Sequence, residues 1–129
     1  MTPNFSLAEL RCKCGCGAHR FHPGFLGALQ ALRDALGRPM TVTSAARCQR
    51  HNAAVGGAIG SYHICDVALG RGQQGALAVD IATPDGTYRG ELFALAWASG
   101  WTVGWNARRG FLHLDRRDMV DAAQTSFDY

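Results

Sequence analysis

The chain has 129 residues, 47% of them hydrophobic and 18% charged, with a formal net charge of +3. That balance excludes a disordered chain and leads us to expect one compact domain over residues 1–129, large enough to bury a core. Lys13 is the only lysine among the 13 basic residues, and apart from Arg108-Arg109 and Arg116-Arg117 the basic side chains are scattered. Scattering argues against the clustered stripe of a nucleic-acid binder, while a mild positive charge suits approach to an anionic polymer.

The opening stretch Met1 to Leu10 has neither a basic segment nor a long apolar run, so no signal peptide is expected. Nothing approaches the roughly 18 apolar residues of a membrane span. Ser6-Leu-Ala-Glu9 reads as a capping box that starts a short helical turn. The five cysteines follow an unusual pattern: Cys12, Cys14 and Cys16 at C-x-C-x-C spacing, then Cys48 and Cys65. Three readings stay open for them. Some join Cys48 or His19 around a structural metal, one forms a disulfide with Cys48, or they are free thiols.

Phe25, Leu29, Leu32 and Leu36 recur at helical spacing after Pro23, and Gly37 and Pro39 close that helix. Met40 to Thr43 reads as a short strand, residues 48–61 as loop or loose helix, and residues 64–75, rich in Gly and Gln, as an exposed loop. Ala76 to Ala82 is apolar enough for a buried strand. A turn at Pro84-Asp85-Gly86 leads into a helix over 87–99, with Leu92, Leu95 and Ala96 inward and Gly100 as its stop. Residues 101–105 and 111–115 alternate as a hairpin across 106–110, and the polar tail after Asp118 is expected on the surface. The sum is an α+β fold: a small antiparallel sheet of strands near residues 41, 78, 103 and 113, with helices packed on one side.

Three separate segments of this order carry a histidine or aspartate in an apolar setting: His63, Asp80 and His113. Zinc takes imidazole nitrogen and carboxylate oxygen, and a catalytic zinc keeps three protein ligands and a water. Each residue alone could be a satisfied core histidine or strand aspartate; the joint pattern favours a metal. The period of two puts Asp115 on the same strand face as His113, beside the expected metal, where a carboxylate can accept a proton from a metal-activated water.

The runs TSAARCQRHNAAVGGAIGSYH, GALAVDI and GWNARRGFLHLDRR together resemble the zinc D-alanyl-D-alanine carboxypeptidase family, over roughly residues 4 to 117. That family includes bacterial wall-trimming carboxypeptidases and phage endolysins and shares its fold with the hedgehog signalling domain. Its pattern is S-x-H, then G-x-A-x-D, then a later histidine, in some branches within H-x-D. The resemblance implies Zn2+ held by His63, Asp80 and His113. It also implies Arg47 as the group that holds a substrate carbonyl or carboxylate, and Ser61 as a substrate or ligand-supporting hydroxyl. Asp115 is the expected base, with His51 as an alternative proton carrier.

The implied partner is a peptidoglycan peptide, with no nucleic acid and no membrane insertion, and the protein is expected to be a monomer. It would be made in the cytoplasm without a signal peptide and act on the cell wall, as an endolysin does after release by a holin. The chain departs from the pattern in three places. Asp80 lies seventeen residues after His63, where the family has seven, so about ten residues are inserted, and such a loop is expected at the rim of the site. Ala76 stands where the motif has glycine. Gly110 stands where some members have an acid. The alternative function is a catalytically inactive wall-binding or structural phage module on the same zinc scaffold.

Overall fold

The computed structural model describes residues 2–106 and 108–128; Ala107, in the turn expected at 106–110, lies outside them. The element order is α1 (Leu7–Leu10), α2 (Phe25–Leu36), β1 (Val42–Ser44), α3 (Gln49–Ala54), β2 (Ala78–Ala82), α4 (Gly86–Ala98), β3 (Thr102–Asn106), β4 (Phe111–Asp115), a 3-10 turn (Arg117–Val120) and β5 (Ser126–Asp128).

Local signals set most boundaries. Ser6 caps α1 with both halves of the capping box, its hydroxyl accepting from the Glu9 N–H while the Glu9 carboxylate accepts from the Ser6 N–H. The four apolar residues spaced along α2 are all buried, and Gly37 ends the helix in the left-handed conformation with φ 69°, its N–H donating to Arg33. Asp85 caps α4 by accepting from the Tyr88 N–H, so that helix begins at Gly86, one residue before the expected start. Residues 49–54 form a true helix capped by the Cys48 sulfur, where loop or loose helix was expected.

The sheet has the order β1-β2-β4-β3-β5. The first four strands pair antiparallel, as expected, but β5 joins the edge of β3 in parallel, with Gly104 opposite Phe127. The sheet is therefore mixed and five-stranded, and the tail forms part of it instead of only lying on the surface. The tail's composition concealed this, because a three-residue edge strand needs few apolar side chains.

Alternation sorts the sheet into two faces. Val79 and Ile81 of β2, Leu112 and Leu114 of β4 and Val103 of β3 are fully buried in one core with Phe25, Leu29 and Leu32 of α2 and Leu92 and Ala96 of α4. Truncating one of these leucines to alanine would cost about 2–5 kcal/mol. The opposite face carries Asp80, His113 and Asp115, and the segments around α3 and residue 63 cover it. No helix among the described residues is long and apolar enough to cross a membrane.

Candidate metal centre

The second and third expected ligands are brought together by strand register. Asp80 and His113 are direct partners across β2 and β4, and Ser44 faces Asp80 from β1. The first ligand arrives by another route. Residues 63–65 run parallel to 45–47, with the Arg47 N–H donating to the His63 carbonyl at 2.9 Å and the Cys65 N–H donating to the Arg47 carbonyl at 2.9 Å. This pairing swings the His63 ring over the sheet, where the ring Nδ1 lies 2.7 Å from the Ala45 carbonyl.

That contact decides the tautomer. Nδ1 carries the hydrogen and donates to Ala45, which leaves the Nε2 lone pair aimed at Asp80 Oδ1, 3.1 Å away. His113 is held the opposite way round. Its Nε2 donates to Asp115 Oδ2 at 2.7 Å, and its Nδ1 lies 3.3 Å from the same Asp80 Oδ1. Two nitrogen lone pairs and a carboxylate oxygen thus converge, three acceptors without a proton between them. Such a set repels itself unless a cation sits among the atoms. Ligand atoms at about 2.0 Å from a tetrahedral zinc are about 3.3 Å apart, which the two separations match. The residues present fit a zinc ion.

The two histidines differ electrostatically. Burial lowers the pKa of His63 and keeps its imidazole neutral, the form that binds metal. Burial opposes protonation of His113 too, but its hydrogen bonds to Asp115 and Asp80 outweigh that and raise its pKa. Asp80 is penalised by burial, yet the neighbouring His63 and His113 hold its carboxyl well below the usual range. For Asp115 burial is again outweighed, by hydrogen bonds from His113 and Arg117, and its pKa is lowered.

The other expected residues fall as follows. Arg47 lines the site, donating from Nε to Ser44 Oγ (3.0 Å), from Nη1 to Asn52 Oδ1 (3.2 Å) and from Nη2 to Asp80 Oδ2 (3.2 Å). Ser61 lines it as well, and its Oγ accepts from the His63 N–H at 3.2 Å. Asp115 has no exposed surface and does not line the cleft. Its Oδ1 accepts from the N–H and Nε of Arg117, both at 3.0 Å, and its Oδ2 accepts from Arg117 Nη2 at 2.8 Å in addition to His113. His51 lies on α3 and is not among the lining residues.

The cleft measures about 240 Å3 and opens over His63, Asp80 and His113. Residues 55–58 form one wall, Arg109 and Phe111 another, and Phe127 of β5 a third. Phe127 lies 5.5 Å from His113, ring centre to ring centre, with only the side-chain-less Gly104 between them in the strand register. Arg109 and Phe127 of the lining escaped the sequence reading, as did Asn52, which bonds to Arg47 and Ala58. Asn52 is buried and ties the wall together, donating from Nδ2 to the Ala58 carbonyl at 3.0 Å while its own carbonyl accepts from Gly57. A Cβ at Gly57 would sit 2.1 Å from Asn52 Oδ1, so the repeated glycines at 56–57 were the available signal.

The inserted residues do not form a rim. None of residues 64–75 lines the cleft. They are fastened behind His63 by buried Gln73, whose Nε2 is within hydrogen-bonding distance of the carbonyls of Tyr62, Ile64 and Gly75. Arg71 stacks 3.9 Å from the Tyr62 ring centre, and Arg117 lies 4.7 Å from it.

A comparison with curated proteins finds no match. The family described as Peptidase M15 matches residues 3–115. That span contains Arg47, Ser61, His63, Asp80, His113 and Asp115, and on it the chain belongs to the Peptidase M15 family.

Proposed function

We propose that the protein is a zinc peptidase that hydrolyses peptide bonds in peptidoglycan stem peptides. The observation carrying this reading is the convergence of His63 Nε2, Asp80 Oδ1 and His113 Nδ1 at the floor of a cleft, in a chain of a peptidase family. Zinc bound by three protein ligands lowers the pKa of a water toward about 7 and polarises a carbonyl.

The chain's own residues divide the remaining work. A guanidinium has five N–H donors, and three of those on Arg47 are engaged by Ser44, Asn52 and Asp80. The rest are available to a substrate carboxylate or to the oxygen that gains charge during attack. Arg109 adds a second cation to the cleft wall. Two guanidiniums beside the apolar walls of Phe111 and Phe127 suit a short anionic peptide such as a wall stem. Ser61 steadies His63 through its N–H and can donate its hydroxyl proton to the substrate. Asp115 takes a different role from the expected base. Buried and saturated by Arg117, it holds His113 in the tautomer that presents Nδ1. A protein acting on the wall must pass the cytoplasmic membrane, and holin-assisted release is the route we propose.

Digestion of purified peptidoglycan, read by mass spectrometry, tests the assignment. New peptide termini should appear with the zinc-loaded protein and vanish after chelation. Full hydrolysis by metal-free protein would refute it. One observation favours a second reading, a wall-binding module without turnover: among the described residues Asp80 is the only carboxylate lining the cleft. That reading gives saturable muropeptide binding with no cleavage product.

A further inference from the structure

A second group of metal-binding side chains lies outside the cleft. Cys12, Cys14, Cys16 and Cys48 place their sulfurs within 4.8 Å of one another. Cys12 follows α1, and its N–H donates to the Ala18 carbonyl at 2.8 Å, closing a loop that carries Cys14 and Cys16 on its exposed side. Gly15 (φ 91°) and Gly17 (φ 78°) take the left-handed turns that fold this loop back on itself. Cys48 comes from the start of α3, more than thirty residues away.

The spacing of the sulfurs is informative. Cys12 and Cys14 are 3.5 Å apart, Cys12 and Cys48 3.9 Å, and Cys14 and Cys48 3.7 Å. A disulfide would bring one pair to about 2.05 Å. Sulfurs at about 2.3 Å from a tetrahedral zinc are instead about 3.8 Å apart, which all three separations approach. Backbone N–H groups also point at the sulfurs: Cys48 N–H to Cys12 (3.4 Å), His51 N–H to Cys48 (3.3 Å) and Ala18 N–H to Cys16 (3.4 Å). Such donors offset the charge of thiolates. His19 is not part of this group, and its Nδ1 lies 2.9 Å from the Gly17 carbonyl.

We propose that Cys12, Cys14, Cys16 and Cys48 bind a second zinc ion as a closed tetrathiolate. Each thiol releases its proton to solvent as its sulfur binds, leaving a site of net charge −2. With no open position this zinc is structural. It staples the N-terminal segment to the strip 45–48, which positions the catalytic side through the Ala45 carbonyl on His63 and through Arg47. The Ala46 N–H donating to the Leu10 carbonyl marks the same seam.

The full chain purified from zinc-supplemented growth should carry about two zinc per molecule by elemental analysis. In His63→Ala about one should remain, with sulfur-only scattering at about 2.3 Å in X-ray absorption. A Cys14→Ser/Cys16→Ser double variant changes two exposed side chains and should lose that zinc while keeping the one on His63. If that variant does not fold, an organomercurial titration of the unaltered protein serves instead, and it should release about one of the two zinc ions. A metal-free His63→Ala protein, a disulfide among these four cysteines in the native chain, or iron in place of zinc would each overturn the proposal. All these readouts are independent of peptidase activity.

Discussion

The role assigned to Asp115 can be tested sharply by Asp115→Asn, which keeps shape and removes charge. The carboxylate accepts four hydrogen bonds, one from His113 and three from Arg117. An amide cannot satisfy both sides. If its NH2 faces His113, that ring must accept at Nε2 and carry its hydrogen on Nδ1, the atom needed by the metal. If its oxygen faces His113, the NH2 meets two donors of Arg117. Either way the imidazole is held less well in its binding tautomer, and zinc affinity should fall about 10–100-fold, or about 1.4–2.7 kcal/mol. Competition against a chromogenic chelator measures this directly. The metal-free variant Asp115→Ala, which strands Arg117 beside an empty buried position, should also be destabilised by about 3 kcal/mol in denaturant titration. A base that reaches the substrate's water behaves otherwise. Unchanged zinc affinity with a loss of kcat on the order of 10²–10⁴-fold would refute the orienting role.

Three further outcomes follow from the geometry. Gly75→Ala should destabilise the fold by at least about 1–3 kcal/mol in thermal or urea unfolding, because Gly75 has φ 151° and a Cβ would lie 2.6 Å from the Phe21 backbone carbon. Asn52→Ala should raise KM and cost about 1–3 kcal/mol of stability, since it removes an acceptor of Arg47 and the support of Ala58. Burial pushes the Cys65 thiol up to about 11, so at pH 8 only about a thousandth is thiolate. Alkylation of native protein followed by peptide mapping should find Cys65 slower than the exposed Cys14 when the other four cysteines are metal-free. Because the unfolded thiol ionises near its ordinary value, the Cys65 contribution to stability should also decline as pH rises from about 8.5 toward 11.

What could be read from the sequence was what short-range pattern encodes. The apolar repeat of α2, the apolar run that became β2 and the alternation in β4 placed the core and put Asp80 and His113 on strands. Longer-range consequences were hidden. Phe127 reaches the cleft only because β5 pairs with β3, a contact that three residues of polar tail do not advertise. Asp115 lies on the expected face of β4, but its carboxylate is engaged by Arg117, two residues on, a pairing that the strand alternation does not reveal. Arg109 sits in the turn before β4, where no apolar alternation marks which way a side chain points. Likewise the 64–75 segment, which in the chain separates His63 from Asp80, is folded behind His63 by contacts that include buried Gln73 and the stacking of Arg71 on Tyr62.

That last arrangement has a bearing on how such sites diverge. On the proposed ligand set, the distance along the chain between His63 and Asp80 does not enter the geometry of the site. Each ligand is indexed to the sheet by its own local pairing, His63 through 45–47 and Asp80 through β4. Residues can accumulate between them as long as both anchors hold, so a search demanding a fixed gap would overlook sound members of the family. The stricter diagnostic is whether a histidine and an aspartate can each reach their neighbour across the sheet, whatever the length of chain that joins them.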